Sequence, residues 1–125
     1  MIQTIIKVVK TLKDLVLRTL LYDFYGELLN EHQKHIYEDY VLNDLSLAEI
    51  AQENGISRQG VHDLIKRCDK TFESYESKLH LVEKFENTKE LVREIKNLVE
   101  DYKVNANQES LVKVENIAQK ILNEM

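Results

Sequence analysis

The run LSLAEIAQENGISRQGVHDLIKR, Leu45 to Arg67, decides how the rest of the chain is read. Ser46 stands where an N-cap is needed, because its hydroxyl can accept a bond from an otherwise unpaired backbone N–H. Glu49, three residues on, completes a Ser-x-x-Glu capping box. Leu47, Ile50 and Ala51 then share one helical face, and the small Ala51 lets a second helix approach. Asn54-Gly55 ends that helix, since glycine enters the left-handed region without a Cβ penalty. Ile56 plugs the turn and Ser57 caps a second helix. Val61, Leu64, Ile65 and Cys68 form its inner stripe. Arg58, Gln59, His62, Asp63, Lys66 and Arg67 are left facing out. Two short helices, a tight turn and a polar outer face make a helix-turn-helix, a unit that commonly sets one helix against nucleic acid.

The remaining pattern is helical too. The chain has 125 residues, no proline, three glycines, 31% charged and 43% apolar residues. That size and composition predict an all-α protein. From Met1 to about Leu29, apolar residues recur at Ile5, Val9, Leu12, Val16 and Leu20, with Lys7, Lys10 and Asp14 on the other side; one bent helix or two would fit. Asn30 with Gln33 forms a second capping box and starts a helix to about Leu42, with Ile36, Tyr37, Tyr40 and Val41 inward. Asn43-Asp44 break it. The helix after Ser57 is expected to run to about Lys70. Beyond it Phe72, Tyr75, Leu79, Val82, Phe85, Val92, Ile95, Val99 and Tyr102 step by threes and fours, with one step of seven, as along a coiled-coil seam. Such a seam must fold back or pair with a second chain. A polar break at residues 105–110 precedes a last amphipathic helix, with Leu111, Val114, Ala118, Ile121 and Met125 aligned. The expected division is a helix-turn-helix domain over residues 1–70 and a helical segment over 71–125 that dimerises or folds back.

Charge limits the function. The net charge is −5. Residues 1–20 carry four basic residues against one acid, 21–70 five against ten, and 71–125 eight against eleven. Arg58, Lys66, Arg67 and Lys70 outnumber Asp63 and Asp69 around the second helix. Local positive charge on an acidic body suits a salt-sensitive binder rather than a tight non-specific one. The lone Cys68 excludes a disulfide scaffold and points to a reducing cytoplasm. No apolar run has transmembrane length and no signal peptide is evident. The basic side of the N-terminal helix could rest on anionic lipid, but a core-facing helix with solvated lysines accounts for it better.

Catalytic chemistry finds little support. Glu31, His32, His35, Glu38 and Asp39 crowd one helix without the His-x-x-x-His spacing of a zincin, so no metal site is expected. His62 and Cys68 fall on different faces, which removes a thiol–imidazole pair. There is no phosphate-cradling glycine loop and no nucleophile elbow. Tyr22, Phe24 and Tyr25 read as core and rim aromatics rather than base-stacking platforms. The expectation is a protein that is not an enzyme and needs no cofactor. Arg58 and Gln59 are the candidate base-edge readers, His62 lies beside them, and Lys66 and Arg67 are the candidate phosphate contacts.

Residues 21–29 (LYDFYGELL), Gln33, 44–51 (DLSLAEIA), 57–59 (SRQ), Val61, Asp63, 65–67 (IKR), Tyr75-Glu76 and Lys78-Leu79 resemble the YlxM type of small bacterial helix-turn-helix proteins. The resemblance spans residues from about 18 to 86. It implies a fold like region 4 of sigma factors, frequent dimers, and a regulatory role in the signal-recognition-particle pathway through the particle's RNA or its GTPase. It brings no catalytic residues. Gly60 stands where that family usually has alanine, at a propensity cost of up to ~1 kcal/mol in the second helix. Duplex DNA remains the other nucleic-acid partner, and a protein-docking module without nucleic-acid contact is the alternative function.

Overall fold

The computed structural model describes the backbone from Ile2 to Met125 and side chains from Asp14 onward. Side chains of the N-terminal stripe Ile5, Val9 and Leu12, and of Lys7, Lys10 and Lys13, therefore lie outside the described residues. The chain is all-α: α1 (Ile2–Tyr25), a 3-10 turn (Gly26–Leu28), α2 (Glu31–Val41), α3 (Leu47–Asn54), α4 (Arg58–Leu79), α5 (Leu81–Asn105) and α6 (Gln108–Glu124). No strand occurs among the described residues. The chain divides into two compact units, Met1–Val82 and Glu83–Met125.

In the first unit, α1 is one helix that gives way to the 3-10 turn at Gly26. A Cβ at Gly26 would lie 2.8 Å from the Tyr22 ring, so only glycine lets that ring lie over the end of α1. Both expected capping boxes form. Asn30 accepts from the Gln33 N–H at 2.8 Å, and Ser46 accepts from the Glu49 N–H at 3.1 Å. Leu21, Tyr25, Leu29, Ile36, Tyr37, Ile50, Ala51, Val61, Ile65, Cys68, Phe72 and Val82 form the core. Aromatic rings dominate its centre: Phe72 meets Tyr37 edge-on at 5.2 Å and Tyr25 at 6.4 Å, and Tyr22 stacks on Tyr37 at 5.7 Å. Such pairs add to burial itself.

A phenol in or against the core needs a hydrogen-bond partner, and the buried Tyr25 and Tyr37 and the half-buried Tyr22 each find a carboxylate. Tyr37 donates to Asp69 at 2.7 Å, Tyr25 donates to Glu76 at 2.6 Å, and Tyr22 donates to Glu38. The second oxygen of Asp69 accepts from Arg18 at 2.9 Å, which ties α1, α2 and α4 together at one point.

The helix begun at Ser57 does not stop near Lys70. It continues to Leu79, because Phe72 belongs to the same buried stripe as Cys68. The chain breaks at His80 instead, which adopts φ 55° and bonds its N–H to the Glu76 carbonyl at 2.9 Å. The Glu76 carboxylate then accepts from the Val82 N–H at 2.9 Å, so one side chain at the end of α4 caps the start of α5. An acid at a helix N-terminus also suits the helix dipole. The expected continuous seam from Phe72 to Tyr102 is therefore interrupted.

The second unit is a helical hairpin. Asp101 and Ser110 would be about 13 Å apart along one straight helix. Their side chains meet at 2.7 Å, so the chain reverses through Ala106-Asn107. The half-buried positions are Thr88, Leu91, Ile95, Leu98, Asp101 and Tyr102 on α5 and Val114, Ile117 and Ile121 on α6; Ser110 is fully buried. That stripe is displaced from the expected one, since Val92 and Val99 are exposed and Leu91 and Leu98 take the inner places. Hydrogen bonds from Ser110 and then Asn105 hold the Asp101 carboxyl below its usual range.

The phenols of Tyr22, Tyr25 and Tyr37 are all held above the ordinary value of 10.0, first by burial and then by the neighbouring carboxylates. A folded-state value raised above the unfolded one gives stability that is complete below about pH 10 and is lost as pH rises beyond it. In a spectrophotometric titration Tyr22, Tyr25 and Tyr37 should ionise together with loss of helical circular dichroism. Ionisation of these three before any unfolding is the opposing result.

Candidate nucleic-acid interface

Helices α3 and α4 are joined by Gly55, Ile56 and Ser57. Gly55 adopts φ 65°, ψ 30°, and its N–H and that of Ile56 both bond to the Ala51 carbonyl, the latter at 3.2 Å. Asn54 returns its amide to the Ile50 carbonyl at 2.8 Å. Ser57 accepts from the Gly60 N–H at 2.9 Å. This bond bears on the propensity cost of Gly60. A Cβ there would lie 3.2 Å from the capping hydroxyl, and the cap pins the first turn of α4.

Packing fixes how α4 is rotated. Val61, Ile65, Cys68 and Phe72 are buried. At 3.6 residues per turn, the direction opposite this stripe falls between Asp63 and Lys70, with Gln59 and Lys66 on one side and Arg67 on the other. Gln59, Lys66 and Arg67 thus share the outward face with Asp63 and Lys70. Arg58, exposed at the first turn, and His62 lie around one flank. The five residues expected from sequence do not form a single face; three do. Asp63, Lys66, Arg67 and Lys70 line a shallow cleft of about 230 Å³.

The local electrostatics are more positive than the sequence tally implies. Asp69 is turned inward to Arg18 and Tyr37, leaving Asp63 as the acid among Arg58, Lys66, Arg67 and Lys70. Asp63 accepts from the Gln59 amide at 2.9 Å. His62 Nδ1 lies 3.7 Å from the same oxygen, too far for a hydrogen bond, and is itself buried without a partner. Lys70, counted from sequence in the charge of the second helix but not among its candidate contacts, lines the same cleft as Lys66 and Arg67.

The other chemistry-bearing residues are dispersed. Cys68 is fully buried, and burial pushes its thiol up to about 11, which disfavours the reactive thiolate. His35 pairs with Asp39 at 3.4 Å. Among the described residues no group of three potential metal ligands converges, and no helix is long and apolar enough to cross a membrane. Tyr25 is buried and cannot stack on a base, while Phe24 is 38% exposed at the rim.

A capped helix, a left-handed glycine turn and an outward polar helix define a helix-turn-helix protein. Residues 10–114 match the family described as "Putative helix-turn-helix protein, YlxM / p13 like", UPF0122, and the chain belongs to it. The UPF0122 protein TTE1463 of Caldanaerobacter subterraneus subsp. tengcongensis is 48% identical over 86 residues, covering 69% of this chain and 74% of that one. The UPF0122 protein of Desulforamulus reducens is 44% identical over 103 residues, 82% of this chain and 88% of its own. That of Clostridium botulinum strain Alaska E43 is 47% identical over 94 residues, 74% and 86% respectively.

Two substitutions test the turn. Gly55→Ala should lower stability by about 1–2 kcal/mol, because a Cβ is disfavoured in the left-handed region even though it would meet nothing within 4 Å. Ser57→Ala should cost about 1 kcal/mol by removing the cap of α4. Urea denaturation measures both. A neutral Gly55→Ala would show that the turn is not held in this conformation.

Proposed function

We propose that this is a non-enzymatic, cytoplasmic regulatory protein of the signal-recognition-particle pathway that binds nucleic acid, foremost the particle's RNA, through the outward face of α4. The observation that carries this is the strip of Lys66, Arg67 and Lys70, around Asp63, on a protein of net charge −5. Cations gathered on one helix of an acidic protein are a local anion-binding feature. Arg58 and Gln59 stand at the start of α4, where side chains reach base edges in duplex readers, and Lys66 and Arg67 are placed for phosphates. His62 flanks them.

Fluorescence anisotropy against signal-recognition-particle RNA and against duplex DNA tests the proposal. Binding to the RNA should weaken as salt rises. On duplex DNA the log–log slope should be about −3 to −4, as for three to five phosphate contacts. The double variant Arg58→Ala, Lys66→Ala should lose at least tenfold in affinity, at roughly 1.4 kcal/mol per factor of ten. No binding to either probe at low salt refutes nucleic-acid contact.

A protein-docking role toward the particle's GTPase is the second reading, favoured by the acidic balance. It requires that the GTPase be recovered in a pull-down after nuclease treatment. We also propose that the protein is a homodimer. Phe85, Val92, Val99, Val112 and Leu122 are exposed apolar residues on a two-helix unit, and exposed apolar patches commonly mark interaction surfaces. Light scattering at tens of micromolar should give twice the 14.7 kDa chain mass, and a monomer mass refutes it.

A further inference from the structure

We infer that Asp63 makes the α4 face selective for a nucleotide whose base offers an amino group, cytosine above uracil or thymine. The inference rests on the nucleic-acid reading and deepens it. Asp63 projects almost directly opposite the buried stripe Val61, Ile65, Cys68 and Phe72. Anything that docks along the outward face of α4 meets this carboxylate. For bare phosphate the placement is unfavourable, because like charges repel at contact and cancel part of the attraction of the neighbouring cations.

The surroundings of Asp63 fit a second use. Its Oδ1 accepts the Gln59 amide at 2.9 Å, which ties the carboxylate to the side chain one turn back on the helix. Hydrogen bonding to the described residues occupies that one oxygen, leaving Oδ2 to accept from a ligand. One carboxylate and three cations, Asp63 with Lys66, Arg67 and Lys70, border the same shallow cleft of about 230 Å³. Lys66 and Lys70 are about 6 Å apart along the axis, a reach of roughly two phosphates at 3.4 Å per nucleotide of one strand. A nucleotide is the ligand whose two ends match such a cleft. Its phosphate suits the cations, and an exocyclic amine suits the carboxylate.

Base chemistry then separates the pyrimidines. Cytosine presents its N4 amine as a donor, which Asp63 can accept; uracil and thymine present O4, an acceptor, at the same place. A carboxylate facing O4 is unpaired and repelled. Asp63 therefore acts as a specificity-determining residue that admits one pyrimidine and weakens binding to unmatched polyanion.

Anisotropy titrations with oligo(rC) and oligo(rU) of equal length test this, using the full chain and Asp63→Asn. The wild-type protein should prefer oligo(rC) by about tenfold. Asp63→Asn should bind oligo(rU) more tightly and reduce the preference to within about threefold, because a carboxamide can donate to O4 and removes the repulsion. Asp63 is exposed, so circular dichroism of the variant should match the wild type; a variant that unfolds is replaced by Asp63→Ser under the same criterion. Equal affinity of the wild type for both oligomers, or a preference unchanged in the variant, overturns the inference and leaves nucleic-acid binding standing. Failure to bind either oligomer overturns it as well, and binding of signal-recognition-particle RNA in the same assay shows whether the wider reading falls with it.

Discussion

The carboxylate of Asp69 is the point on which the first unit turns. It sits on α4 but bonds Arg18 of α1 at 2.9 Å and Tyr37 of α2 at 2.7 Å. Its side chain is only 18% exposed, so its charge is neutralised by a neighbour rather than by water. Burying a charge is tolerable only when paired and hydrogen-bonded, and here both conditions are met by groups from two other helices. With Asp69 tied at one flank and Phe72 enclosed by Tyr25 and Tyr37, α4 has one rotational setting. That setting sends Asp63, Lys66 and Lys70 outward. The core and the candidate interface are opposite faces of one helix, and the same bonds determine both.

What could be read from the sequence was local. The capping boxes at Asn30 with Gln33 and at Ser46 with Glu49 connect residues three apart, as does the Ser57 cap to Gly60. All were legible because their donors and acceptors are neighbours in the chain. Asp69 was not legible. It counted as an acid diluting a basic helix, and its partners lie 51 and 32 residues away in sequence. The end of α4 was missed for a related reason. No glycine, asparagine or proline marks residue 80, and the three-and-four spacing continues across it. At the break the Glu76 carboxylate accepts from the Val82 N–H and the Tyr25 phenol from the Leu81 N–H, contacts that no spacing rule reveals.

The same distinction accounts for the site. Residue types on the second helix identified a polar face, and Gln59, Lys66 and Arg67 do share it. Arg58 and His62 were grouped with them because they are polar and near in sequence. Their angular positions relative to Val61, Ile65 and Cys68 place them on a flank. Lys70 lies one turn past Lys66 on the same face, and Asp63 stands near its crest. In the hairpin, the inner places fell to Leu91 and Leu98 rather than to their neighbours Val92 and Val99. A heptad-like pattern with apolar residues at adjacent positions defines two overlapping stripes, and only the partner helix chooses between them.

The acidic body and the basic strip act over different distances. At physiological ionic strength charges are screened beyond about 8 Å, so a ligand on α4 interacts mainly with the residues it touches. At 0.01 M salt the reach is ~30 Å, and the excess acids elsewhere then repel a polyanion that the strip attracts. Lowering salt therefore strengthens the attraction at the strip and the repulsion from the acids together. A protein built this way has little long-range attraction for nucleic acid in general. On the proposed reading, affinity would come from close complementarity at the crest of one helix, where a single carboxylate among cations has its largest effect.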